Sequence, residues 1–193
     1  MPQPKTPTPE IVTRYFQKFE TNDIFRAGEN GLRLLFHKFC PQNRILEHVL
    51  IKVAALDAAY STNIYFPYVV AQHILNCEFD LRLATVDYEL VNDVARVRVK
   101  GKIRKLYSFA TKYCSHHNPK QYPIFDYFVE KMMMHFQKQD GFSSFAKHDL
   151  RDYPTFVYII KEFRSFYGLG RCRLREIDKY LWLAGKEAFP RRV

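Results

Sequence analysis

Apolar side chains recur every three or four residues along most of the chain. The clearest case lies between residues 44 and 60, where one face of a helix would carry Leu46, Val49, Leu50, Val53 and Leu56. Similar spacing occurs in residues 10–19, 32–39, 67–77, 127–138, 153–167 and 173–184. Because strictly alternating strands are missing from the pattern, the sequence predicts an all-α fold, a compact helical bundle.

One basic stretch departs from the helical spacing. In residues 96–105, cationic residues alternate with apolar or small ones. A helix is predicted over residues 88–97, and a short strand through Val99 stays open as an alternative. The charges indicate either a solvated face or, together with the aromatic residues Tyr107, Phe109 and Tyr113, a surface that contacts phosphates.

Proline and polar residues set the expected boundaries. Residues 1–9 are Pro-rich and predict a flexible tail, followed by a single helical domain over residues 10–193 with a central lobe at about 44–131. Ser61, Thr62 and Asn63 interrupt two apolar helices and are expected at one end of the bundle. The alternative for this turn is an ordinary loop between helices.

Asp126 is the residue on which the functional prediction depends. It follows a proline-containing turn and precedes an apolar helical stretch, so its carboxylate is expected among the unpaired N–H groups of a helix start. There it would stay ionised and could stabilise a nearby cation. The alternative is that Asp126 serves only as a helix cap.

Composition narrows the class of partner. The 193 residues include 30 Lys and Arg against 20 Asp and Glu, a net charge of +10. This excess favours polyanionic partners, nucleic acid first and an anionic membrane surface second. The four cysteines lack the spacing of a zinc or iron–sulfur site and are expected as free thiols. Without an apolar leader or a stretch of about 20 apolar residues, the expected location is the cytoplasm.

Three segments together resemble the helix-hairpin-helix DNA glycosylases. The stretch ILEHVLIKVAALDAAYSTNIY resembles the long helix and polar turn of that family, with Asn63 at the position of the residue that wedges into DNA. LYSFATKYC resembles the hairpin pattern LPGVGxKTA, with Lys112 on its lysine. YPIFDYFVEKM resembles PVDTHVxRV, which carries the catalytic aspartate and places Asp126 there.

The resemblance implies a bundle of two lobes around a cleft and a set of site residues. Asp126 would be the catalytic carboxylate, and Lys112 the possible Schiff-base nucleophile. DNA contacts would come from Asn63, Ser61, Thr62, Tyr60, Lys102, Lys105, Ser108 and Ala110, and the base pocket from Tyr65 and Tyr122. Ser108 and Ala110 replace the hairpin glycines of the family, and the interval from Lys112 to Asp126 is shorter than usual. If the hairpin lies earlier, Lys102 or Lys105 takes the place of the lysine.

The function implied by this resemblance is hydrolysis of an N-glycosidic bond in DNA. The protein would act as a monomer on double-stranded DNA with a flipped nucleotide, without a metal, cofactor or iron–sulfur cluster. Its small size resembles bacterial members associated with defence against phages, which suggests a modified cytosine such as glucosylated hydroxymethylcytosine. Two alternatives stay open: a non-catalytic DNA-binding protein that keeps the bundle, and an RNA-binding helical protein.

Overall fold

The computed structural model describes residues 3–190 of the chain. Within these residues the structure contains ten α-helices and one two-stranded sheet, so the prediction of a mainly helical protein is confirmed. The helices are α1 Pro9–Glu20, α2 Asp23–Leu34, α3 Leu46–Tyr60, α4 Pro67–Leu75, α5 Phe79–Ala84, α6 Glu89–Ala95, α7 Tyr107–His117, α8 Tyr127–Asp140, α9 Tyr153–Phe166 and α10 Leu174–Ala188. A π-helical turn, Leu35–Phe39, continues α2, and two 3₁₀ turns, Asp149–Arg151 and Leu169–Arg171, flank α9.

The chain divides into two compact units. One comprises Ala27–Tyr122, and the other combines Met1–Arg26 with Pro123–Val193. We refer to them as the central unit and the terminal unit. The single domain over residues 10–193 stays a prediction. Of the predicted tail, residues 1 and 2 lie outside the described part, whereas Pro9 already belongs to α1.

Helix α3 forms the core of the central unit. Its side chains Val49, Val53 and Leu56 are fully buried, and the helix lies against α4 and α7. The face predicted from the apolar spacing is therefore the buried one. Removing a side chain of this size from water contributes about 1.5–3 kcal/mol to folding, so these three residues stabilise the position of α3 in the unit.

Helix α10 holds the same place in the terminal unit, where it packs against both α1 and α8. Gly185 allows the close approach to α8, because an added Cβ would lie 2.9 Å from Phe128 Cβ and 3.1 Å from the Phe128 carbonyl oxygen. The hydroxyl of Tyr180 donates a hydrogen bond of 2.9 Å to the Lys5 carbonyl, so α10 also binds the segment before α1.

The sheet is a β-hairpin in the central unit, with β1 Arg96–Val99 antiparallel to β2 Lys102–Lys105. The strand that the alternation left open therefore forms, and the helix predicted over residues 88–97 ends at Ala95. Lys100 and Gly101 make the two-residue turn with φ of 47° and 79°, the left-handed values that tight hairpins require. Val97 and Val99 are buried on one face, which explains the alternation.

Among the described helices, none combines enough length with enough hydropathy to cross a membrane.

Candidate functional site

The β-hairpin exposes a dense cluster of cations. All six of its charged side chains are basic and solvent-exposed, and we call them the basic hairpin: Arg96, Arg98, Lys100, Lys102, Arg104 and Lys105. Ten residues thus carry a charge of +6 with no acidic residue among them. A cluster of one sign on a short element favours a polyanion, because the repulsion among its cations is relieved when phosphates are bound.

A cavity of about 430 Å³ lies between the basic hairpin and the loop after α3. The loop contributes Asn63, Ile64, Tyr65 and Phe66, α4 contributes Val70, and the hairpin side contributes Val99, Ile103, Arg104, Lys105 and Leu106. The loop wall therefore presents aromatic rings and the side-chain amide of Asn63. The hairpin wall presents the two cations Arg104 and Lys105 beside apolar side chains. The predicted site residues Asn63, Tyr65 and Lys105 meet at this one cavity.

Asp57 fixes the loop that forms the first wall. Its Oδ1 accepts hydrogen bonds from the Thr62 hydroxyl at 2.8 Å and from the Ile64 amide at 3.1 Å. The Ser61 amide donates to the Asp57 carbonyl at 2.7 Å, and both Ser61 and Asn63 adopt left-handed φ values of 49° and 59°. The loop is thus held by a half-buried carboxylate near the end of α3, and Asn63 is exposed to solvent.

The segment predicted as the hairpin of two helices has another structure. The β-hairpin stands where the first helix of such a motif would lie, and residues 107–117 form one continuous helix, α7. Ala110 is fully buried, so its amide cannot contact a DNA phosphate. The cause is local: the valine alternation and the Lys100–Gly101 turn favour paired strands over a helix.

Lys112 lies on the buried side of α7 with 4% of its surface exposed. Its Nζ donates to the Ser108 hydroxyl at 2.6 Å and lies 5.4 Å from the ring centre of Tyr60. Tyr60 in turn forms a hydrogen bond of 2.9 Å with His116 Nε2. The structure therefore groups three predicted residues, Tyr60, Ser108 and Lys112, in one set of contacts.

Tyr122, the other predicted wall of a base pocket, is fully buried in the central unit. Its hydroxyl donates to the Asp87 carbonyl at 3.2 Å, and its ring centre lies 5.5 Å from that of Tyr88. Because no face of this ring is exposed, it has no surface on which a base could stack. Of the two predicted pocket tyrosines, Tyr65 alone is available to solvent.

Asp126 belongs to the terminal unit and caps α8. Its Oδ1 accepts hydrogen bonds from the amides of Phe128 at 2.9 Å and Val129 at 3.0 Å. The other carboxylate oxygen accepts no hydrogen bond from any described residue, and the side chain is half-buried. One oxygen thus fixes the helix start while, among residues 3–190, the second has no donor, next to the positive end of the helix dipole.

Two contacts hold the extended segment that leads to Asp126. The Tyr153 hydroxyl donates to the Pro123 carbonyl at 2.9 Å, and the Ile124 amide donates to Asp178 Oδ1 at 3.3 Å. Both partners come from helices of the same unit, α9 and α10. The orientation of Asp126 is therefore set by tertiary contacts as well as by its own cap.

Asp178 is a polar residue that the sequence analysis missed. It has 4% of its surface exposed, and within residues 3–190 its Oδ2 has no hydrogen-bond partner. The pKa of Asp178 is raised to about 7, mainly by burial and slightly by Asp126, against the lowering effects of Arg175, the Ile124 amide and Lys179. A signal was present, because Asp178 lies four residues after Leu174 and next to Ile177, on the apolar stripe of α10.

A second missed group is the buried Lys52 in the central unit. Its Nζ contacts the Gln42 carbonyl at 3.1 Å, Asn43 Oδ1 at 2.6 Å and His117 Nε2 at 3.2 Å. Burial lowers the pKa of Lys52 to about 8, and it lowers the pKa of His117 well below its usual value. Since all three ammonium hydrogens have acceptors, this group ties the segment before α3 to α7.

Comparison with known proteins places the chain in a family. Residues 11–121 match the HI_0787_N family, described as an N-terminal domain. The chain belongs to this family. An uncharacterized protein of Haemophilus influenzae is 44% identical over 162 residues, which cover 83% of this chain and 75% of that protein. No solved structure matches the chain.

The HI_0787_N match covers only part of the predicted site. It includes Asn63, the basic hairpin and Lys112, and it ends before Asp126. The similarity to the H. influenzae protein extends over more of the chain, but that protein is uncharacterized and suggests no activity.

Proposed function

We propose that this member of the HI_0787_N family is a DNA glycosylase related to the helix-hairpin-helix enzymes, with the β-hairpin and α7 in place of their hairpin of two helices, acting as a monomer in the cytoplasm. The observation that carries the proposal is the geometry of Asp126, with one carboxylate oxygen bonded to the start of α8 and the other unpartnered among the described residues. The resemblance of the surrounding segment to PVDTHVxRV supports the same role. The proposed substrate is double-stranded DNA with a flipped modified cytosine, such as glucosylated hydroxymethylcytosine.

The chemistry requires a charge of the kind that Asp126 can supply. When the N-glycosidic bond breaks, the base leaves with the bonding electrons and positive charge develops on the sugar. A carboxylate beside the anomeric carbon stabilises that charge and orients the water whose oxygen replaces the base. The departing base takes up a proton, and the DNA is left with an abasic site.

The buried position of Lys112 favours hydrolysis by water over attack by a lysine. The ammonium of Lys112 is hydrogen-bonded to Ser108, and a Schiff-base nucleophile would have to leave this contact and lose its proton. We therefore propose a monofunctional glycosylase, in which Lys112 stabilises the packing between α7 and Tyr60. Any strand cleavage would then follow only from alkali treatment of the abasic product.

The experiment compares base release by the native protein and by Asp126→Asn. Purified protein is incubated with duplexes that carry ordinary, damaged or glucosylated bases, and alkali-labile sites are counted. Asn is also a good helix cap, so Asp126→Asn should preserve the fold and DNA binding while base release is lost. Asp152→Asn is the matched control, because Asp152 caps α9 through a similar bond to the Thr155 amide. Full activity of Asp126→Asn would refute the catalytic role.

The basic hairpin favours a second candidate, a non-catalytic DNA-binding protein. Its six cations and the adjoining cavity offer a nucleic-acid surface that does not involve Asp126. In that case DNA binding persists on every duplex tested, and none of them releases a base. The same assay therefore separates the two candidates.

A further inference from the structure

The cavity beside the basic hairpin combines two kinds of surface that single-stranded nucleic acid requires. Its loop wall carries Tyr65 and Phe66, which are 81% and 39% exposed. Its hairpin wall carries Arg104, Lys105 and Ile103, the last of which is 56% exposed. Large apolar side chains at this level of exposure, gathered at one cavity, indicate a binding site.

The aromatic wall suits a nucleobase. Bases stack on Tyr and Phe rings, and such stacking contributes about 1–3 kcal/mol per base without demanding a particular sequence. The bonds from Asp57 hold the Tyr65 loop in place, so little conformational entropy is lost on binding. Lys100 Nζ lies 5.9 Å from the ring centre of Phe66, which places a cation beside the aromatic wall.

The cationic wall suits the phosphate that accompanies the base. The side chains at residues 102–105 are all exposed, and Arg104 and Lys105 reach the cavity itself. Arg can hold a phosphate through two parallel hydrogen bonds, and Lys adds a point charge. The volume of about 430 Å³ lies in the range of pockets that hold small organic ligands.

A base within an intact duplex cannot use this cavity, because both of its faces are already stacked. Only an unpaired nucleotide offers a free face to Tyr65 while its phosphate stays near the hairpin. We propose that the cavity between residues 63–66 and the basic hairpin binds one unpaired DNA nucleotide, with its base on Tyr65 and Phe66 and its phosphate on Arg104 and Lys105.

This inference rests on the proposed function in one respect, the choice of DNA and not RNA as the nucleic acid that is bound. It gives the β-hairpin a role that the sequence analysis assigned to a hairpin of helices. It also gives a common role to Asn63 and Tyr65 and to Lys105, which lies some 40 residues further along the sequence but lines the same cavity. Lys102 then contacts a neighbouring phosphate along the strand.

The test measures binding by fluorescence anisotropy at one stated salt concentration. The probes are a labelled single-stranded DNA, the fully paired duplex, the same duplex with one unpaired nucleotide, and RNA of the same sequence. The full-length protein should prefer the single strand and the interrupted duplex over the paired duplex. Tyr65→Ala should weaken binding to these two probes about tenfold, and Tyr65→Phe should restore it because the stacking face is kept.

The charge variants complete the test. Arg104→Gln combined with Lys105→Gln should weaken binding to every probe and reduce the dependence of log affinity on log salt by about one to two. Arg33→Gln combined with Lys38→Gln is the matched control, because it removes two exposed charges of the same unit outside the hairpin and should leave affinity nearly unchanged. Circular dichroism confirms that each variant is folded.

Three outcomes would overturn the inference. They are equal affinity of Tyr65→Ala and the native protein, an effect of the control pair as large as that of the hairpin pair, and tighter binding of RNA than of DNA. Base release is not part of this measurement. If binding depends on Tyr65 but no base is released, the glycosylase proposal is rejected and the nucleotide site is kept. If base is released but Tyr65→Ala binds as the native protein does, the nucleotide site is rejected and the glycosylase proposal is kept.

Discussion

Replacing Asp178 by Asn should change how the stability of the protein depends on pH. Asp178 is buried in the terminal unit, and its pKa rises from 3.8 to about 7, mainly because burial disfavours the charged form. A carboxyl group with a raised folded pKa contributes stability that is complete below its unfolded value of 3.8 and is lost as the pH rises through about 7. The native protein should therefore become less stable across this interval.

The size of the effect follows from the pKa. Each pKa unit corresponds to about 1.4 kcal/mol, so ionised Asp178 lowers the free energy of unfolding by about 4 kcal/mol in total. About 3 kcal/mol of this loss falls between about pH 5 and about pH 8.5. Asn is neutral at every pH, and its amide oxygen can still accept from the Ile124 amide. Its NH₂ group leaves a buried donor unpaired, as the protonated carboxyl does, so the two proteins should match below about pH 3.8, where Asp178 is protonated in both the folded and the unfolded state.

Urea denaturation at a series of pH values measures this difference. The free energy of unfolding of Asp178→Asn should exceed that of the native protein by about 4 kcal/mol at about pH 8.5 and by only about 1–2 kcal/mol at about pH 5. Glu47→Gln, which changes an exposed carboxylate on α3, should follow the native curve. Parallel curves for the native protein and Asp178→Asn would show that the buried carboxyl does not titrate as its surroundings predict.

Three further substitutions test the packing of α10, the buried Lys52 and the loop that carries Tyr65. Gly185→Ala should lower the free energy of unfolding by about 1–3 kcal/mol in urea denaturation, because the new Cβ would meet Phe128. In the native protein the free energy of unfolding should rise with pH between about 8 and 10.5, because the pKa of Lys52 is about 8 in the folded state and 10.5 in the unfolded state. Lys52→Met should abolish this rise, because Met does not titrate. Asp57→Ala should weaken binding of single-stranded DNA in the anisotropy assay but leave the helical content measured by circular dichroism unchanged, because Asp57 orders the loop that carries Tyr65.

The sequence predicted the helices with strong local signals and missed features that tertiary contacts decide. The buried face of α3 and the cap position of Asp126 follow from residue spacing and from helix-start chemistry, both of which act within a few residues. The end of α6 at Ala95 depends on the pairing of two strands with each other, which competes with helix formation.

The burial of Asp178 depends on contacts far apart in sequence. Its place on the apolar stripe of α10 was visible, but its bond to the Ile124 amide comes from a segment 54 residues away. Nothing in the residues around position 178 encodes that partner. The cavity at Tyr65 likewise requires the loop after α3 and a hairpin some 40 residues later to meet.

Asp178 also reports on the charge of Asp126. Part of the rise in the pKa of Asp178 comes from the nearby Asp126 carboxylate, after the larger effect of burial. Asp126→Asn should therefore lower the pKa of Asp178, and the shift should be small because Asp126 is the weakest of the contributions. The carboxyl carbon of Asp178, followed by NMR during a pH titration, measures this shift directly.

This titration bears on the proposed function without any substrate. A glycosylase needs Asp126 ionised near neutral pH, where Asp178 titrates, and only an ionised Asp126 raises the pKa of its neighbour. An unchanged midpoint for Asp178 in Asp126→Asn would mean that Asp126 carries no charge in that range or that its charge does not reach Asp178. Under the first explanation the carboxylate could not stabilise a cationic sugar, so base release, if observed, would have to depend on another residue.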